Sequence, residues 1–422
     1  MSEPWILWSS ELSPFGLKVA ACLRAHHIAF RWMPAGASST EAWRYSLRRE
    51  RLVRGYDTLT APVKHDLDEY PQVPFLFGPN STNLYDSSAI GQWLDDYVCG
   101  GDVCDGDDRD EDDRDDHIRD DDRQRLIPAR DRALRLAVRL VDEACDEVGL
   151  YLVHHGRWVR AAADNNAGLR LAGEMQPLLG PAARALARAF PARQVRRLPY
   201  LFSVAADTDQ WNDLPKRLRP PTRAGFPPTH ELLETATDEL LAATETILSR
   251  RPNLFGERFT LADASLYGQL DMNRSDPAAW QRIENKAPVT AAWIKGIATT
   301  EPVDTQPIEE AQEDEATLDE GIAPLLGWVG RWFLPLMRQN ASAWATAHAR
   351  GESVFNEKAF NQGRALYDGR LGKFPFRSVV KTFQVRVWQE LCQEFQALNV
   401  ADKGRIRRFL PNDHGLDDTL GL

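Results

Sequence analysis

Cysteine is scarce in this chain. Five are spread over 422 residues, at Cys22, Cys99, Cys104, Cys145 and Cys392. None falls in a Cys-x-x-Cys pair, and none stands in a Cys/His metal spacing. That argues against a disulfide framework or a zinc site. Positive charge is also in the minority, with 51 Lys and Arg against 62 Asp and Glu, a net of -11. Such a balance speaks against a surface for nucleic acid or anionic membrane. No apolar run approaches the ~20 residues of a membrane span. The N-terminal Met-Ser-Glu-Pro-Trp lacks a basic region, and Glu11 and Pro14 interrupt the apolar run that follows. No signal peptide is expected, and a cytoplasmic location is the default. His154 and His155 are adjacent, so a helix would point them to different faces, and no metal site is expected there.

Hydrophobic residues make up 43% of the chain, enough for sizeable cores, and the length suits two or three domains. The most informative stretch runs from Tyr70 to Leu94. Val73 to Phe77 is a short apolar run fit for a buried strand. Gly78, Pro79 and Asn80 are turn formers, and Asn83 to Tyr85 can return as a second strand. Asp86-Ser87-Ser88 then stand as N-caps before the helical spacing Ile90, Trp93, Leu94. A helix start of this kind offers free N–H groups and a positive dipole end to a carboxylate. Asp86 therefore has two readings, as a cap and as a ligand.

The start of the chain adds a β-α-β order. Trp5 to Trp8 is a strand candidate, Ser13 caps a helix opened by Pro14, and Ile28 to Met33 reads as a second strand. Phe15, Val19, Cys22 and Leu23 share one face of that helix, with Cys22 as a packed thiol. Between the two halves, residues 34–69 form a long connection that holds a basic helical stretch from Glu41 to Arg54. It reads as a helix covering the sheet, or as a lid beside the pocket. Asp102 to Arg123 is acidic low-complexity sequence and reads as a linker, since its spacing does not fit a calcium loop. Helical character resumes from Pro128. Pro181 to Phe190 and His230 to Leu248 are further helices, and Leu214 to Pro228 is a loop. Thr260 and Asp263 stand in capping-box positions. Glu309 to Glu320 is acidic linker, and Phe374 to Phe395 reads as one more helical segment.

Three motifs in this order resemble the glutathione transferase family. They are Ser13-Pro14-Phe15, then Val73-Pro74 before the hairpin and Asp86-Ser87, then Gly256-x-x-x-Thr260-x-Ala262-Asp263. The resemblance covers about residues 5–97 and 128–300. It implies a thioredoxin-like α/β domain over 1–100, an acidic linker over 101–127, and an all-α domain over 128–300. A mostly helical extension, 301–422, lies beyond the usual family length. The resemblance implies glutathione as co-substrate, a cis Val73-Pro74 bond, and no metal. Ser13 would donate to the glutathione sulfur. Val73 would pair its backbone with the tripeptide's cysteine, Gln72 would face the glycyl carboxylate, and Asp86 and Ser87 would hold the γ-glutamyl end. The implied chemistry is attack of a glutathione thiolate on a small electrophile held between the two domains, as in detoxification, by a homodimer. The alternatives are a non-catalytic binding or scaffold protein of the same fold, and a glutathione-dependent isomerase or lyase.

Overall fold

A computed structural model describes residues 4–61, 73–99, 125–299 and 316–418. Gln72 and the acidic tract, residues 102–123, lie outside the described residues. The first unit runs β1 (Trp5–Trp8), α1 (Pro14–Ala25), β2 (Phe30–Met33), α2 (Ser39–Val53), β3 (Phe75–Phe77), β4 (Asn83–Tyr85) and α3 (Ser87–Cys99). The sheet order is β2-β1-β3-β4, with β1 and β2 parallel and the other pairs antiparallel. This is the thioredoxin-like arrangement. The two central strands, β1 and β3, are short, wholly buried apolar runs, as the middle of a sheet covered on both faces requires.

One face of the sheet takes α1 and α3, and the other takes α2. Helix α2 covers its face with arginines as well as apolar groups. Arg48 lies over the Phe77 ring at 4.8 Å and Arg49 over Phe75 at 5.5 Å. Their guanidinium planes serve as apolar cover while the helix stays basic. Helix α1 is buried nearly all round rather than on the single face its spacing suggests. The cause is a second helix on its outer side.

That helix is α9 (Leu261–Met272), which is buried along its whole length. A Cβ on Gly268 would lie 2.4 Å from the Pro14 oxygen, so the two helices touch backbone to backbone. The Thr260 N–H donates to Asp263 at 2.9 Å and the Leu254 N–H to the other oxygen at 2.8 Å, which anchors the start of α9. Asp95 on α3 accepts from the N–H groups of Leu126 and Ile127, both at 2.8 Å, and so fixes where the chain re-enters.

The helical part begins with α4 (132–160), four residues later than Pro128 suggests. It is one long helix containing π turns at Cys145–Gly149 and Gly156–Arg160. Next come α5 (Ala167–Glu174), α6 (Gln176–Leu179), α7 (Leu186–Arg197), α8 (His230–Leu248), α9, α10 (Pro277–Lys286) and α11 (Pro288–Thr299). Residues 180–185 are a 3-10 turn rather than part of α7.

The extension folds back on this bundle through α12 (323–349), α13 (Glu357–Asn361), α14 (Thr382–Gln396) and α15 (Val400–Arg407). Arg139 on α4 pairs with Glu394 on α14 at 2.9 Å, and Arg405 on α15 with Asp131 at 2.6 Å. The indole of Trp328 donates to the Ala236 oxygen at 2.9 Å. One expectation is corrected here. Phe374 does not open a helix: Phe374–Val379 is strand β6, paired antiparallel with β5 (Leu366–Leu371), and the helix starts at Thr382. Phe374, Phe376 and Ser378 are buried in alternation, which is the period of a strand.

Candidate functional site

The register of the sheet decides what meets at its edge. Trp8 pairs with Phe75, and Phe75 pairs with Tyr85. The loop that leaves β1, the Val73-Pro74 segment that enters β3 and the Asp86-Ser87 turn that leaves β4 therefore lie side by side. Val73-Pro74 and Asp86-Ser87 flank the paired strands β3 and β4 there, and Ser13 ends the loop that leaves β1. Gln72, the remaining expected ligand, is outside the described residues.

The β1–α1 loop is tightly held. The Leu12 N–H donates to the Ser10 hydroxyl at 3.1 Å and the Ser13 N–H to the Ser10 carbonyl at 2.9 Å. A Cβ on Gly16 would meet the Ser9 hydroxyl at 2.2 Å, so only glycine lets the loop lie against the first turn of α1. Ser13 is the N-cap of that helix, and its Oγ accepts from the Gly16 N–H at 3.4 Å. A hydroxyl that accepts still carries its own O–H to donate.

The Val73-Pro74 bond is cis, as is Met33-Pro34, which the sequence reading does not anticipate. Asp86 has a positive φ of 74° and caps α3: its Oδ1 accepts from the Ala89 N–H at 3.0 Å. Ser87 is the first residue of α3 and is buried. The cap reading of Asp86 is thus realised through one oxygen of its carboxylate.

Behind this turn lies a buried charge cluster that the sequence reading misses. Lys18, 1% exposed, sends its ammonium to Asp142 at 2.5 Å, Asp146 at 2.7 Å and the Ser88 hydroxyl at 2.8 Å. Ser265 on α9 also donates to Asp142. Burial works against the charge of Lys18, but the two carboxylates outweigh it and hold the ammonium well above the usual lysine range. Asp146 is pushed up to about 6, by burial first and by Asp142 and Asp86, against the pull of Lys18. A signal for Lys18 was present. It sits three residues after Phe15 and four before Cys22, a charge on an apolar helix face.

Helices α5 and α6 reach across the same edge. Arg170 lies 3.6 Å from Glu11 in the loop, and Leu178 packs with Val73 against the α2 face of the sheet. Glu174, 9% exposed, meets the Ser10 side chain. Burial pushes its carboxyl up to about 7. The Ser10 hydrogen bond opposes that shift, the charge of Glu11 adds to it, and Arg170 and Arg157 oppose it. Its Oε2 is buried without a hydrogen-bond partner among the described residues. The cover over the edge comes from the helical part, through Arg170, Glu174 and Leu178. The basic stretch that forms α2 takes the first of its two readings, a helix covering the sheet.

Comparison with solved structures returns glutathione transferases. One from Phanerochaete chrysosporium is 16% identical, covers 72% of this chain and all of that one, and has a TM-score of 0.39. Rice GST1 in complex with glutathione is 16% identical, with 72% and 91% covered and a TM-score of 0.30. One from Pseudomonas fluorescens is 14% identical, with 71% and 97% covered and a TM-score of 0.30. No family model and no curated protein matches the chain. Similarity at this level assigns no role to any residue.

Proposed function

We propose that the sheet edge binds glutathione and activates its thiol for attack on a small electrophile. The observation that carries this reading is the register, Trp8 to Phe75 to Tyr85, which sets the loop ending in Ser13, Val73-Pro74 and Asp86-Ser87 side by side. Each then has a part. An extended peptide can pair with the Val73 backbone beside β3. The start of α3 offers free N–H groups and the Ser87 hydroxyl to an α-carboxylate. The Asp86 carboxylate pairs with the neighbouring α-ammonium. A free thiol with pKa ≈ 8.5 is a few per cent ionised at neutral pH. The Ser13 O–H and the N-terminus of α1 both favour the thiolate. The co-substrate is glutathione, and the chemistry proceeds without a metal. The electrophile sits between the sheet unit and the helical part, and the location is cytoplasmic.

A homodimer is the assembly the resemblance implies. Helices α14 and α15 already cover one face of α4, so a second chain must use another surface. Titration calorimetry with glutathione, followed by a conjugation assay with an activated aryl chloride, tests the proposal. Binding in the micromolar to millimolar range with enzymatic turnover is expected. Absence of glutathione binding overturns it.

A second reading has its own support. Arg170, Glu174 and Leu178 close over the edge, which narrows any entry. That favours a non-catalytic binding or scaffold protein, and it predicts glutathione binding without turnover.

A further inference from the structure

Residues 184–219 are a basic stretch in an acidic protein. They hold eight Lys and Arg and three Asp, against a net charge of -11 for the whole chain. Four of the cations, Arg184, Arg188, Lys216 and Arg217, are exposed, and none has an ion pair among the described residues. Elsewhere exposed arginines do find carboxylates. Arg51 reaches Asp57 at 2.7 Å, Arg377 reaches Asp368 at 2.6 Å and Arg407 reaches Asp417 at 2.7 Å. Arg197, on α7 itself, pairs with Glu357 at 2.8 Å. Cations left together without partners repel one another, so these four make a surface complementary to an anionic partner.

The same four residues border an apolar groove. The turn Lys216–Leu218 packs against α7. Leu218 lines an open groove of about 230 Å³ together with Ala187, Pro191 and Val195 of α7 and Leu169 of α5. Ala187, Pro191 and Val195 recur every four residues along α7, and Arg184 and Arg188 form the adjoining row. Lys216 and Arg217 directly precede Leu218. Leu169 is left 70% exposed. Asn165 and Asn166 line the groove too, with Asp164 exposed beside them. A Cβ on Gly168 would lie 2.4 Å from the Ala187 oxygen, so α5 and α7 cross backbone to backbone and fix the floor. The groove is formed before anything enters it, which lowers the ordering cost of binding. A cavity of about 150 Å³ takes up benzene, so this one has room for a phenylalanine or leucine side chain.

We propose that this groove binds an acidic peptide segment of another protein, through one bulky apolar side chain flanked by carboxylates. The apolar side chain covers Leu169 and packs against Pro191 and Leu218. The carboxylates on either side of it pair with Arg184, Arg188, Lys216 and Arg217. Burial of the anchor supplies most of the affinity, and the charge pairs supply specificity and a fast encounter. A nucleic acid would meet the same cations, but its run of phosphates would extend past them into the field of a strongly acidic chain.

A fluorescein-labelled heptapeptide, Asp-Glu-Glu-Phe-Glu-Glu-Asp, tests this on the full chain by fluorescence anisotropy. The wild type is expected to bind it with a micromolar Kd at low salt, and more weakly as salt rises. The same peptide with alanine in place of phenylalanine should bind at least about tenfold more weakly. Leu169→Asp, and Arg188→Glu combined with Arg217→Glu, should each weaken the phenylalanine peptide by at least about tenfold. All three positions are exposed, so thermal transitions should show both variants folded. A labelled uridine heptamer should bind more weakly than the peptide. The inference is overturned if the peptide does not bind, or if the charge-reversed variant binds it as the wild type does. It is overturned equally if the alanine peptide binds as well, or if the uridine heptamer binds more tightly. If the peptide binds only after residues 105–122 are replaced by a short Gly/Ser linker, the groove belongs to this chain's own acidic tract, and the proposal of a separate partner fails.

Discussion

Arg157, on the second π turn of α4, donates from Nη1 to the carbonyl oxygen of Leu12 at 3.0 Å. Leu12 immediately precedes Ser13, so a buried arginine of the helical part holds the loop that carries the candidate donor. The same guanidinium reaches Asp276 at 2.7 Å through Nε and the carbonyl of Met272 through Nη2. One planar fork thus ties the β1–α1 loop, the end of α9 and the start of α10 together.

Arg157→Met is therefore expected to be severe. It strands the buried carboxylate of Asp276 and removes the donor of two carbonyls. Breaking a buried pair in this way costs about 3–5 kcal/mol. Arg157→Lys should recover part of that, because a point charge reaches Asp276 but cannot fork to all three acceptors. Urea unfolding of the three proteins measures it. A loss below about 1 kcal/mol in Arg157→Met would show that the fork is incidental.

Glu174 gives a pH-dependent prediction. Its folded pKa, about 7, lies above the ordinary glutamate value. The folded state thus holds the proton more tightly than the unfolded chain. The stability this confers is fully present below the unfolded pKa, about 4.3, and is lost as pH rises through 7. Glu174→Gln cannot ionise and escapes the loss. Relative to wild type, the variant should gain stability between pH 5 and pH 8, on the order of 1–3 kcal/mol. Thermal unfolding of both proteins across that range is the measurement. Parallel profiles would mean that the carboxyl ionises at its ordinary pKa, in contact with solvent.

The Lys18 cluster should behave in the opposite sense to a surface ion pair. Lys18→Met leaves Asp142 and Asp146 buried without their cation, a loss of about 3–5 kcal/mol. The loss should be greater at pH 8 than at pH 5, where Asp146, already pushed up to about 6, can take up a proton instead. Adding Asp142→Asn and Asp146→Asn to Lys18→Met should restore much of the stability, since neutral groups of the same shape carry no uncompensated charge. Additive losses in the triple variant would contradict this.

What could be read from the sequence was local. The hairpin, the Asp86 cap and the Thr260-Asp263 cap are each specified within a few residues, and each is where the spacing puts it. The carboxylate partners of Lys18 and the partners of Arg157 lie more than a hundred residues away in sequence. No local pattern names them. Periodicity failed for a second reason. Asp146, Arg157 and Trp158 all fall on π turns, where an extra residue per turn shifts the phase. A 3.6 spacing carried on from Leu136 and Leu140 therefore cannot say which face they take. At Phe374 the alternation of buried and exposed residues is that of a strand, not of the helix that begins at Thr382.

The last prediction separates binding from chemistry at the sheet edge, and the structure chooses the variant. Asp86 sits at positive φ and caps α3 through Oδ1. Alanine there would be strained as well as uncapped. Asparagine tolerates that backbone and keeps the accepting oxygen. Asp86→Asn thus removes the charge alone. Charged hydrogen bonds contribute about 1.5–3 kcal/mol, so glutathione affinity should fall roughly ten- to a hundredfold, with stability nearly unchanged. Ser13→Ala removes a donor that matters once the sulfur is charged. Turnover near neutral pH should fall while glutathione affinity changes little. The lost rate should return in part above about pH 8.5, where the thiol ionises unaided. The cap it also provides contributes about 0.5–2 kcal/mol, so stability is measured alongside. Calorimetric titration and a pH–rate profile of the wild type and both variants give the answer. If Asp86→Asn binds glutathione as the wild type does, Asp86 is only a cap and the γ-glutamyl assignment fails. If Ser13→Ala turns over normally at pH 7, the thiolate is held by some other group.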